Sequence, residues 1–398
     1  MKYNFDEEVE RRGSYSTKWD CGSLLKEMGL TERFDGSTIP VFTADMDFHC
    51  AKPIQDALAR VVEHNVYGYT AISPHDTPEY YDAIINWFKR RNHWEIQPEE
   101  IVYVNGTVEA VKQAILAFTK EGDGVLINRP IYTPFTSTIL NTHRTVVNSQ
   151  LINSDGYYTV DFEDFEQKAA DDNTKLFILC NPHNPTGRTW TPDELTKMAQ
   201  ICEKHHVLIV ADEIHGDLVR KDTIFTPLAT LTGYRSLITC TAVNKTFNLA
   251  GLHATNLVIP DPDLREQFKN SCGMVLPSPF TVAAVIAAYN EGEEWLDQVK
   301  EYLDDSIDFV LEFLKERMPK VKCRRPEGTY ILWMDFSAYC LSAEDIRRKI
   351  YVDANVLLES GPQFDSEFGE GFERICVPTR RALLNEAFTR IADQFEGL

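Results

Sequence analysis

Three polar residues stand where apolar runs end, and their types call for either partners or chemistry. Lys245 closes the stretch Ile238-Thr-Cys-Thr-Ala-Val-Asn-Lys-Thr-Phe-Asn-Leu-Ala-Gly251, in which a strand-like run opens into small and polar residues. An ammonium is costly to desolvate, so such a lysine is either a solvated loop residue, one half of a pair, or a reactive amine. Asp212, in Ala211-Asp-Glu-Ile-His215, follows the apolar run Val207 to Val210. A carboxylate at a buried strand end needs a cation, and none is adjacent in sequence; the alternative is that it caps a following helix. Asn184 belongs to Asn181-Pro-His-Asn-Pro-Thr-Gly187, where two Asn-Pro pairs and a glycine force a rigid loop. The Asn184-Pro185 bond there is a candidate for the cis isomer. A fourth loop, Val104-Asn-Gly-Thr-Val108, opens a helix at Gly106 and Thr107, which is either ordinary capping or a phosphate site built from backbone N–H groups.

These loops can meet only if the elements before them share a sheet edge. Short apolar strands alternate with helices: Ile101 to Val104, then a helix from about Thr107; Gly124 to Ile127, then one from about Ile131; Lys175 to Cys180, then Thr191 to His205. Val207 to Ala211, Ser236 to Cys240 and Ala254 to Ile259 are further strands. This pattern predicts an α/β fold with a mostly parallel sheet covered by helices, and ligands in such sheets sit beyond the carboxyl ends of the strands. Residues 1–50 read as a polar, irregular arm, part of a small domain. Residues 51–290 read as the large domain, with helices from Pro53 and from Pro78 to Arg91. Residues 291–398 read as a smaller α+β domain. It holds a long helix at Glu293 to Arg317, a strand at Tyr330 to Phe336, a helix at Ser342 to Tyr351, short strands near Val356 and Phe372, and a last helix from Thr379 to Phe395. Arg380 and Arg381 are expected to begin that helix and face solvent.

Composition narrows the function classes. The 398 residues with 43% hydrophobic content suit a folded core, and a net charge of −21 argues against nucleic-acid or anionic-membrane partners. The charged N-terminus lacks the apolar core of a secretory signal and no apolar run reaches bilayer length, so a cytoplasmic protein is expected. Nine scattered cysteines without a Cys-x-x-Cys pair fit neither a disulfide framework nor a zinc site.

The loop Asn181-Pro-x-Asn-Pro-Thr-Gly187, Asp212 and Lys245 resemble, in order and spacing, the class I/II aminotransferase group of fold-type I pyridoxal-phosphate enzymes. Tyr15-Ser-Thr-Lys-Trp-Asp20, Asp45-Met-Asp-Phe48, Gly68-Tyr69, Lys245-Thr-Phe-Asn248 and Gly371-Phe-Glu-Arg374 are most similar to the MalY/PatB-type cystathionine β-lyases, a carbon-sulfur lyase branch. The resemblance implies pyridoxal 5'-phosphate as cofactor and a homodimer with shared active sites. Lys245 would hold the cofactor covalently and remove the Cα proton. Asp212 would pair with the ring nitrogen and Asn184 with the 3-hydroxyl. Tyr132 would stack on the ring and stand beside Lys245 as a catalytic residue. Gly106, Thr107 and Val108 would bind phosphate through their amides, with Tyr69 arriving from the neighbouring subunit. Arg374 would grip the substrate carboxylate as a fork, unless it is a surface ion pair beside Glu370 and Glu373. Asn184, Tyr69, Asp45 and Met46 complete the expected substrate contacts, and Tyr15, Trp19 and Phe48 either line the entrance or pack.

Three departures separate this chain from typical aminotransferases of the group. His215 stands in place of a tyrosine, His253 in place of an arginine, and Ala242 in place of a phosphate-binding serine. The first two favour the lyase branch; the third requires Thr241 or Asn244 to supply the missing contact. The implied reaction is α,β-elimination from L-cystathionine or another S-substituted L-cysteine, ending in a thiol, pyruvate and ammonia. Transamination shares the first proton abstraction and is the competing activity. Some relatives in this branch also act through protein contacts as transcriptional modulators, which leaves a protein-binding role open.

Overall fold

Aliphatic and β-branched runs bounded by glycine, asparagine or proline become strands, and the helices between them start at side-chain caps such as Asp161, Thr191 and Asp261. The computed structural model describes residues 1–398. Seven strands form the central sheet: β1 (Ile101–Asn105), β2 (Gly124–Ile127), β3 (Thr145–Asn148), β4 (Thr174–Cys180), β5 (Leu208–Asp212), β6 (Leu237–Thr241) and β7 (Ala254–Val258). Their spatial order is β1-β7-β6-β5-β4-β2-β3. The contacts among β2 to β6 are parallel, while β7 runs antiparallel to both β1 and β6. The sheet is therefore mostly parallel. Sequence reading passes over β3, a short edge strand with only Val146 and Val147 to mark it, and the hairpin Leu151–Ser154 and Tyr157–Val160 that follows.

Alternation along the strands sends side chains to two helical layers. Leu176, Ile178, Leu208 and Val210 pack with the helices Thr107–Phe118, Thr133–Asn141 and Pro262–Cys272. Phe177, Leu179, Ile209 and Ala211 face the opposite layer, formed by Phe162–Ala169 and Pro192–Lys204. Register aligns the strand ends, since Cys180 pairs with Asp212 and Asp212 with Cys240, while Asn105 lies opposite Ala254. One edge of the sheet thus collects the ends that carry the polar loops.

The long helix Glu293–Arg317 spans about 37 Å at the usual rise per residue. It buries Trp295, Val299, Leu303, Ile307 and Val310 along one stripe. Beyond it lies a four-stranded antiparallel sheet whose strands are Lys322–Cys323, Ile331–Asp335, Phe372–Cys376 and Glu359–Ser360, in that order. The last helix, Arg381–Phe395, packs beside it. The expected helix at Ser342 to Tyr351 is α-helical only through Arg347 and then widens to i→i+5 turns as far as Asp353.

The first fifty residues are more ordered than an irregular arm. Short helices form at Thr17–Asp20 and Gly22–Glu27, and Ile39–Pro40 pairs in parallel with Val356–Leu357 of the C-terminal region. Arg380 and Arg381 do not simply face solvent. Arg380 pairs with Glu8 at 3.2 Å, the Arg381 N–H donates to the Tyr302 hydroxyl at 2.8 Å, and its guanidinium donates to Ser306 at 3.1 Å.

A buried ionic cluster fixes the end of the arm. Lys18 is fully enclosed, with Nζ 2.9 Å from Asp47 and 3.6 Å from Asp45, and Arg11 pairs with the same two carboxylates at 2.9 and 2.8 Å. Burial alone would depress the Lys18 ammonium, but Asp47 and Asp45 outweigh it and hold its pKa above the ordinary lysine value. Lys18→Met should lower stability to urea unfolding by about 3 kcal/mol, because two carboxylates then share one cation. A loss below about 1 kcal/mol would show that Arg11 alone suffices.

Candidate active site

The strand-end loops enclose a cavity of about 330 Å³. Lys245, in the four-residue helix Val243–Thr246 after β6, extends into it and donates from Nζ to the Ala44 carbonyl at 2.8 Å. That partner is neutral, so the amine is tethered without being locked as an ammonium. Burial, reinforced by the Arg374 guanidinium, lowers the Lys245 pKa below the ordinary lysine value. Asp212, the last residue of β5, faces the same space and accepts only the Ile214 N–H, at 3.3 Å. It does not cap a helix of any length. Burial raises its pKa to about 7, far above an ordinary aspartate, because it outweighs the Ile214 N–H and the nearby Lys245 charge, and no cation forms an ion pair with it.

Asn184 and Tyr132 also line the cavity. The peptide bonds preceding Pro182 and Pro185 are both cis, so the Asn184-Pro185 expectation is met and a second such bond precedes it. His215 is buried and held neutral, its pKa driven well below the ordinary value chiefly by burial and then by Lys245 and Arg374. Its ring packs edge-on to Tyr330 at 5.7 Å, and its Nδ1 has no partner.

Gly106 caps the helix Thr107–Phe118 with φ 97° and ψ 150°, a conformation that side chains avoid. The first N–H groups of that twelve-residue helix have no acceptor within it and open onto the cavity at Thr107 and Val108. His253 lies across from this turn, 3.7 Å from where a Cβ on Gly106 would stand. Of the two replacements for the serine absent at Ala242, Thr241 does not line the cavity, and its hydroxyl donates to the Asn256 carbonyl at 2.8 Å. Asn244 does line the cavity, its Oδ1 accepting the Ala254 N–H at 3.2 Å.

Arg374 is no surface residue. It is 2% exposed, and its guanidinium donates to Asn184 Oδ1 at 3.1 Å and to the Phe42 carbonyl at 2.9 Å. Asp45 and Met46 are not brought to the cavity. The Asp45 carboxylate turns to Arg11 and Lys18, and Met46 is fully buried, its backbone exchanging hydrogen bonds with Asn248. Tyr69 is entirely exposed in its own protomer, as is Tyr15. Phe48 and Trp19 pack: Phe48 sits edge-on to Phe5 and Tyr302, and Trp19 donates to Asp47 at 3.0 Å.

Two contributors escape sequence reading. The Ala44 carbonyl receives both the Lys245 amine and, at 2.9 Å, the Tyr330 hydroxyl, which lies 286 positions away. No local pattern marks either residue; only the turn before the strand Ile331–Asp335 could have pointed to Tyr330.

This arrangement fits pyridoxal 5'-phosphate. A buried carboxylate with no ion pair matches a protonated ring nitrogen, an amine held only by a carbonyl matches the aldehyde, and a glycine-started helix matches the phosphate. The comparisons with known proteins agree. The model of the family "Aminotransferase class I and II" matches residues 45–391. The chain is 38% identical over 394 residues to the cystathionine β-lyase PatB of Bacillus subtilis, covering 98% of both proteins. A PLP-bound protein of Clostridium difficile, provisionally called an aminotransferase, superposes with a TM-score of 0.93 at 39% identity, covering 99% of this chain and 100% of that one. A PLP-bound C-S lyase of Staphylococcus hominis does so with a TM-score of 0.90 at 31% identity, covering 100% of both.

In the cofactor-free protein, Asp212 retains its proton up to about pH 7 when folded and loses it near its ordinary 3.8 when unfolded. Between those values the folded state binds the extra proton, so this group's contribution to stability falls as pH rises. Asp212→Asn removes that slope. Its melting temperature should exceed the parent's by a margin that widens from about pH 5 to about pH 7.5; a constant margin would contradict the desolvation described.

Proposed function

The chain belongs to the class I and II aminotransferase family, and from that premise we propose that it is a pyridoxal-phosphate-dependent carbon-sulfur β-lyase. It acts on L-cystathionine or another S-substituted L-cysteine, releasing a thiol and leaving pyruvate and ammonia. The observation that carries the reading is the convergence of Lys245, tethered only to a carbonyl, and Asp212, buried without an ion pair, on one cavity, in a chain similar along its whole length to a cystathionine β-lyase.

When bound, the cofactor supplies an electron sink for the charge that develops at the substrate Cα. The residues of the chain do the rest. Lys245, with its depressed pKa, is suited to take the Cα proton as a neutral amine. Asp212 would keep the ring nitrogen protonated, since a charge partner offsets its own desolvation. Asn184 would donate to the ring 3-oxygen, and Tyr132 would hold the ring face. Gly106, Thr107 and Val108 would present amides to the phosphate, supplemented by Asn244. Arg374, already oriented by Asn184, would receive the substrate carboxylate. His215, buried and neutral, gives the ring environment a polar atom without a second positive charge.

We also propose a homodimer in which each subunit lends Tyr69 to the other's phosphate site. The support is that Tyr69 is wholly solvent-exposed within one protomer while Tyr67 and Val66 beside it are exposed as well.

The test is to supply L-cystathionine to the purified holoenzyme without any keto acid and assay pyruvate and free thiol. Both should appear together, and Lys245→Ala should reduce their rate by roughly 10³-fold or more. Product formed only when a keto acid is added would assign amino-group transfer instead.

A further inference from the structure

Arg374 already has a carboxylate beside it. Glu359 and Arg374 lie directly opposite each other on the antiparallel strands Glu359–Ser360 and Phe372–Cys376, and their side chains form an ion pair. The rest of the guanidinium is divided unequally. One terminal nitrogen donates to Asn184 and the other to the Phe42 carbonyl, while Nε is buried without any partner. A fork with one unfilled donor and one donor in contact with an internal carboxylate is set up to take a second, better aligned carboxylate.

The two members of the pair differ in freedom. The Arg374 side chain is 2% exposed and fixed from two sides, and Phe364 lies under its guanidinium at 5.0 Å. The Glu359 side chain as a whole is 26% exposed, although the Oε2 that meets Arg374 is itself buried. Without Glu359 the free enzyme would carry an uncompensated buried cation; with Glu359 in place, an incoming carboxylate meets a like charge.

We propose that Glu359 is a displaceable counter-ion of Arg374: it neutralises the fork in the free enzyme and yields it to the substrate carboxylate, thereby setting substrate affinity. The proposal rests on the assignment of Arg374 as the carboxylate site. Glu359 is a positioning residue whose effect falls on binding and not on the bond-breaking step.

The experiment compares the holoenzymes of the parent, Glu359→Gln and Arg374→Lys. Glu359→Gln should lower KM for L-cystathionine about tenfold with kcat unchanged, and lower the inhibition constant of propionate, a carboxylate with no amino group, by a similar factor. A fixed structural counter-ion predicts the opposite, a raised KM, because the fork loses its orientation; a KM that is unchanged or raised overturns the proposal. Arg374→Lys separates the two layers of argument. If it raises KM strongly while Glu359→Gln does not lower it, the counter-ion role fails and the carboxylate site stands. If Arg374→Lys leaves KM and propionate inhibition intact, the assignment of Arg374 itself is wrong, and the counter-ion role falls with it.

Discussion

The desolvation of Asp212 is the constraint to which the rest of the site answers. Its position at the end of β5, in the centre of a sheet covered on both faces, removes water from a carboxylate that receives one backbone N–H. A folded protein rarely leaves such a group uncompensated unless a ligand completes it. The surrounding groups leave that demand open by forming no ion pair with it. Lys245 is tethered to a carbonyl instead of the carboxylate, and His215 stays neutral. The cavity therefore presents a carboxyl group without an ion pair, an amine and a helix start in separate places, a pattern that a phosphorylated, protonatable aromatic ring completes.

What holds these groups apart is a division between rigid and adjustable parts. Asp212, Asn184 and Gly106 are fixed by strand ends and by rigid loops, so their geometry is set by the large sheet. Lys245 and Arg374 are fixed by residues from the N-terminal segment, through the carbonyls of Ala44 and Phe42. Lys18, Arg11, Asp45 and Asp47 hold that segment in turn. The N-terminal segment thus supports one residue assigned to the cofactor, Lys245, and one assigned to the substrate, Arg374, while the large sheet sets the remaining cofactor contacts.

This division also explains what could be read from the sequence. Loops that follow strands carry their own signals: the Asn-Pro pairs, the glycine before a helix, and an aspartate or lysine after an apolar run each have a local physical meaning. The alternation of strands and helices made their convergence on one edge legible too. Asp45 and Met46 were legible as a motif but not as a role, because the ionic cluster that turns Asp45 away from the cavity depends on Lys18 and Arg11 folding over it. Ala44 left no mark in the sequence and Tyr330 little, since a backbone carbonyl has no side-chain signature and both of its donors lie far along the chain from it. Thr241 looked as suitable as Asn244 until β7 supplied the Asn256 carbonyl that takes its hydroxyl.

The parallel pairing of Ile39–Pro40 with Val356–Leu357 places the segment that bears Ala44 and Phe42 under the control of the far end of the chain. Thr38 and Asn355, which share a hydrogen bond beside that pairing, are separated by 317 positions. Ile39–Pro40 is synthesised long before its partner exists, and a contact of such long range carries the entropic cost of closing the loop between them. The central sheet needs no such contact, because its strands lie between residues 101 and 258. The floor of the cavity is therefore built from contacts local to the large sheet, whereas the carbonyl that tethers Lys245 sits on a segment whose place depends on joining the two far ends of the chain.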